Sequence, residues 1–101
     1  MTLYKVLDAN GRSVHGGDFQ YPLPRFEDGA WISGEWVSVT PPVIQCRHGF
    51  HLTEEPHQWN TANARLFVAE GAGETEGSAV KSVYERVRLL SECSFEETQR
   101  L

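Results

Sequence analysis

The stretch from Val80 to Leu90 constrains this chain more than any other. Its side chains alternate, with Val83, Glu85, Val87 and Leu89 on one face and Ser82, Tyr84, Arg86, Arg88 and Leu90 on the other. That period of two predicts a strand. Arg65-Leu66-Phe67-Val68-Ala69-Glu70 predicts a second strand, and the glycine-bearing segment Gly71–Ser78 between them reads as a loop. A parallel crossover needs about a dozen residues or more, so so short a connection predicts an antiparallel pair. The remainder of the chain must then cover the faces of that pair.

Upstream, Leu3, Tyr4, Val6 and Leu7 predict a strand, Asp8-Ala9-Asn10-Gly11 a turn, and residues 3–15 together a hairpin closed by Gly16 and Gly17. Residues 18–36 interleave Phe19, Tyr21, Phe26, Trp31 and Trp36 with Pro22, Pro24, Gly29 and Gly34. No clean period runs through them, so they read as an extended, turn-rich segment that lays rings over the core. A short strand is expected over Glu35–Val39, ended by Pro41 and Pro42, which cannot continue a sheet ladder. Thr53 is a good helix cap, and the acids and proline that follow suit a first turn, which predicts a short helix from about Glu54 to Asn60. Ser94 and Glu97 have the spacing of a capping box. The expected fold class is therefore α+β: a small twisted antiparallel β-sheet with one short central helix and a C-terminal helical turn. Residues 1–93 read as one compact domain and residues 94–101 as the helical turn or a frayed tail.

Charge and cysteine content narrow the function. Fourteen acidic side chains against nine Lys and Arg give a formal charge of −5 across 101 residues. Nucleic-acid binders neutralise phosphates with clustered cations, and Arg86 and Arg88 beside Glu85 are the nearest approach to such a cluster, which disfavours direct nucleic-acid binding. Two cysteines, Cys46 and Cys93, are too few for a disulfide-stapled secreted domain. The N-terminal residues lack the apolar run of a signal peptide, and no stretch is long enough to span a bilayer. A host-cell cytosol without membrane attachment is the expected location.

The densest polar chemistry lies at Cys46-Arg47-His48-Gly49-Phe50-His51, with His57 close behind. A thiol and imidazoles could ligate zinc, but this spacing matches no standard zinc pattern, so no metal is expected. Cys46 with His48 or His51 could also act as nucleophile and base, with Arg47 or Arg12 holding an anion. Glu54 and Glu55 would oppose the thiolate, and no Asp or Asn is placed to orient the imidazole. The competing reading is a buried thiol and a hydrogen-bonded histidine that fix a strand-to-helix junction. Glu70, Glu74 and Glu76 lack the spacing of a calcium loop, and no phosphate-binding or dinucleotide motif is present, so no cofactor is expected.

Tyr4-Lys5-Val6-Leu7-Asp8-Ala9-Asn10-Gly11, His15-Gly16-Gly17, Gly34-Glu35-Trp36, Cys46 with Gly49-Phe50-His51-Leu52, Leu66–Gly71 and Val83–Leu90 together resemble a group of small bacterial, prophage and phage proteins without an established activity. The Cys-x-x-Gly-Phe-His element is the most specific part of the resemblance, which extends to about Leu90. It implies mobile-element ancestry, and with it a small binder of a host or phage protein, such as an inhibitor of a CRISPR effector.

Large rigid rings concentrate at binding hot spots. The expected contact residues are therefore Trp31 and Trp36, with Glu54 and Glu55 supplying acidic surface. The rival expectations are a small enzyme or ligand-binding domain using Cys46, His48 and His51, and a structural accessory subunit. Oligomeric state is not legible.

Overall fold

The computed structural model describes residues 2–13, 19–43, 49–58, 64–78 and 80–99. Its centre is the expected antiparallel pair, longer than anticipated. The strands are β1 (Leu3–Leu7), β2 (Arg25–Glu27), β3 (Ala30–Ile32), β4 (Val37–Ser38), β5 (Phe50–Leu52), β6 (Arg65–Gly77) and β7 (Ser82–Glu92). A single turn of 3-10 helix, Pro56–Gln58, and a five-residue helix, α1 (Phe95–Gln99), complete it.

β1, β6, β7 and β4 lie side by side in that order, all antiparallel, and β5 pairs with β7 beside β4. The sheet then curls until its margins meet. Thr53, directly after β5, exchanges both main-chain bonds with Tyr4 of β1, at 2.7 and 3.0 Å. β1, β6, β7 and β5 thus form a closed ring. Closure of this kind removes most of the open edge a small sheet would otherwise expose. Inside it pack Leu3, Leu7, Tyr21, Phe50, Leu52, Phe67, Ala69, Val87 and Leu89. Burying each large apolar side chain contributes about 1.5–3 kcal/mol.

The α+β expectation is corrected to a mostly β architecture, because among the described residues no helix reaches seven residues. The central helix fails at Thr53. Its main chain is committed to Tyr4, and its Oγ1 accepts from the Glu55 N–H at 2.9 Å, making a local turn rather than a cap for a continuing helix. Only Pro56–Gln58 turns helically, and the end of the anticipated span lies outside the described residues.

The segment read as a loop, Gly71–Ser78, is mostly strand. β6 runs on to Gly77 against β7, with register breaks after Val68 and after Ala72. The glycines make this possible. A Cβ on Gly71 would lie 2.5 Å from the Tyr84 ring, and Gly73, at φ +79°, makes the second irregularity while Glu85 accepts the Glu74 N–H at 3.0 Å. Glycine in a strand marks a bulge or a close approach, and here it marks both.

In the first hairpin Ser13 bridges Leu7, and the Asp8 carboxylate ties the turn by accepting from the Asn10 and Arg12 N–H groups. The rest of the expected span to His15, with Gly16 and Gly17, lies outside the described residues. The capping box closes reciprocally: Ser94 N–H donates to Glu97 Oε1 at 2.8 Å, and Glu97 N–H to Ser94 Oγ at 3.1 Å. Among the described residues no helix is long and apolar enough to cross a membrane.

Candidate functional site

β2 and β3 form a separate two-stranded sheet in which Arg25 pairs with Ile32, Phe26 with Trp31 and Glu27 with Ala30. The turn is Asp28-Gly29, both with positive φ (51° and 79°), a conformation matched to the twist of a two-residue hairpin. All six strand residues are exposed. Phe26 is 59% and Trp31 41% exposed, and their rings meet edge to face with centroids 5.4 Å apart. Ile32 is also exposed. A two-stranded hairpin in water is marginal on its own, so the aromatic pair and the junction with the ring hold this one.

That junction is Gly34. Its N–H donates to the Leu89 oxygen at 2.8 Å, and a Cβ there would lie 2.3 Å from the Pro22 oxygen. Beyond it Trp36, 42% exposed, carries the Arg88 guanidinium 4.9 Å from its ring centre, and Arg88 also holds Glu70 at 2.7 Å. Arg86, across from Ser38 on β7, is exposed. Trp31 and Trp36 therefore flank one anchor point, with Phe26 and Ile32 extending the apolar surface along the hairpin.

Glu54 and Glu55 do not join them. They follow β5, whose Leu52 pairs with Ser82 at the start of β7, whereas Gly34 is bound at Leu89 near its end. Seven strand residues separate the two points, roughly 23 Å at about 3.3 Å per residue. Both glutamates are half-buried beside Thr53. Phe26 enters the sequence reading only as one of the rings laid over the core, and Ile32 does not enter it. Their signal was Asp28-Gly29 between apolar residues, the strongest short-range mark of a hairpin.

Of the thiol–imidazole group, Cys46 and His48 lie outside the described residues. His51 lies on β5, half-buried, with its imidazole held down to about 4, first by burial and then by the charges of Lys5 and Lys81. It is neutral near pH 7. Its main-chain oxygen accepts from Lys5 Nζ at 2.9 Å. Lys5 falls between Leu3 and Leu7 on the same face of β1, is only 7% exposed, and sits 5.2 Å from the centre of the Tyr21 ring. Burial, then Lys81, lowers its ammonium to about 8. Cys93 has its thiol pushed up to about 11 by burial, Glu97 and Glu92, which leaves it a poor nucleophile. His57 is exposed on the 3-10 turn. Among the described residues no three His, Cys, Asp or Glu side chains converge to hold a metal ion.

Fold and surface define a class: a small curled antiparallel β protein that projects an aromatic hairpin. No family model, curated protein or solved structure matches the chain.

Proposed function

We propose that this chain is a protein-binding module whose contact surface is the hairpin of β2 and β3 together with Trp36. The observation that carries the reading is a hairpin whose strand residues, Phe26, Trp31 and Ile32 among them, are all exposed. Single exposed apolar residues are ordinary, but large rings gathered on one projecting element mark interaction sites. Trp and Phe give wide, rigid contact at low entropy cost, and a few such residues dominate most interfaces. Glu54 and Glu55, at the far end of β7, take no part in this surface.

In its narrower form the partner is a host or phage protein, and the chain inhibits a host system such as a CRISPR effector. The resemblance to phage and prophage proteins supports that form, and the net charge of −5 agrees with it.

The test is capture from host lysate on immobilised protein, with Phe26→Ala and Trp31→Ala variants in parallel. A partner held by the native chain and lost from both folded variants supports the reading. A partner held equally by all three, or no partner at all, overturns it.

A further inference from the structure

We infer that the hairpin is built to enter a cationic groove on its protein partner, with Lys or Arg side chains of that groove stacking on Phe26 and Trp31; this rests on the protein-binding reading above. Charge is ordered along the hairpin. Its single cation, Arg25, is neutralised within the element by Glu27, at 2.8 Å. That leaves Asp28 at the apex, exposed at positive φ, and the exposed Glu35 on the return to Trp36. The element is thus apolar on its rings and negative at its tip.

The rings themselves favour a cation. The faces of Trp and Phe are electron-rich and attract guanidinium and ammonium groups. The chain already uses this chemistry once, where Arg88 lies over Trp36 while Glu70 holds it from the side. Phe26 and Trp31 meet edge to face and keep 59% and 41% of their surface exposed. They share one face of the hairpin, Arg25 and Glu27 pair on the other, and Asp28 at the turn is the carboxylate left over. Exposed rings with one uncompensated acid at the turn suit an incoming cation.

The same ordering argues against a phosphate-bearing surface. A lipid headgroup layer or a nucleic acid would set its phosphates against Asp28, and a carboxylate at the tip opposes entry into a bilayer. The net charge of −5 adds long-range attraction toward a positive partner.

The probes are a labelled peptide of alternating Arg and Leu, its Glu-for-Arg counterpart, phosphatidylserine vesicles and oligo(dT), titrated against the intact protein and read by tryptophan fluorescence. The expected result is saturable, salt-sensitive binding of the Arg peptide alone. It weakens roughly tenfold or more in Trp31→Ala and also in the Glu27→Gln/Asp28→Asn double variant, which keeps the rings. Glu96→Gln, an exposed acid on α1, leaves it unchanged. Absent or equal binding of the two peptides, preference for vesicles or oligonucleotide, or full binding by both hairpin variants overturns the inference. Lysate capture that still depends on Trp31 would then leave the protein-binding reading standing, whereas capture indifferent to the hairpin removes both.

Discussion

Lys5 donates its ammonium to the main-chain oxygen of His51 at 2.9 Å, linking β1 to β5 from within the ring. It also lies 5.2 Å from the centre of the Tyr21 ring, and the charge of Lys81 acts against it. A charge buried against a carbonyl and a ring costs desolvation that is only partly returned.

That cost gives an alkaline signature. The ammonium titrates at about 8 in the folded chain against 10.5 for a free lysine. Below about 8 both states hold the proton; between 8 and 10.5 only the unfolded chain does, so rising pH favours folding across that window. The gain is on the order of 3 kcal/mol over the full window. Urea unfolding at several pH values should show the midpoint climbing above pH 8, and Lys5→Met should flatten the climb. The Tyr21 phenol, raised by burial, reverses the trend above its ordinary value of 10.0.

On the acid side His51 sets the onset of destabilisation. Its imidazole titrates at about 4 when folded and near 6.5 when free, so as pH falls through that interval the unfolded chain takes up a proton the folded one refuses. Stability should begin to fall near pH 6.5, before most carboxylates protonate. His51→Gln should delay the onset, and NMR titration should find the ring neutral until close to pH 4.

Gly71→Ala is expected to destabilise by about 1–3 kcal/mol, since the added methyl enters the space held by the Tyr84 ring. Thermal unfolding of the double variant Gly71→Ala/Tyr84→Leu should recover part of the loss. Equal loss in both would show that the bulged backbone, rather than the ring, requires glycine.

Stability and binding should separate at the hairpin. Trp31→Ala forfeits an edge-to-face contact and the covered part of a ring already 41% exposed, so its cost in denaturation should stay below the roughly 3–5 kcal/mol of emptying a core aromatic site. Its effect on partner affinity should reach about 2 kcal/mol, roughly thirtyfold in dissociation constant.

The parts of the fold that local chemistry dictates were legible. Alternation along residues 82–92 puts Val83, Val87 and Leu89 inside, and the spacing of Ser94 and Glu97 foretells their reciprocal cap. Thr53 shows where locality ends. Its sequence neighbours favour a helix, but Tyr4, far away along the chain, claims its main chain. Gly71, Gly73 and Gly77 mislead in another way, because residues that commonly open loops here let a strand pass against Tyr84 at Gly71 and take positive φ at Gly73 and Gly77.

At the candidate site, Trp31 and Trp36 were legible as rings, but their shared anchor at Gly34 depends on a bond to Leu89. The separation of Glu54 and Glu55 from them is likewise a product of how β7 is flanked at its two ends. Lys5 was legible in principle, since the alternation that buries Leu3 and Leu7 must carry the residue between them inward.

The pair of main-chain bonds between Tyr4 and Thr53 is a narrow seam in an otherwise broadly laddered wall. A ring fastened so briefly along one line can part there while β6 and β7 remain zipped. Amide exchange should therefore be quicker at those two residues than at Phe67 or Val87, and the N-terminal strand should be the first to swing away under mild denaturant.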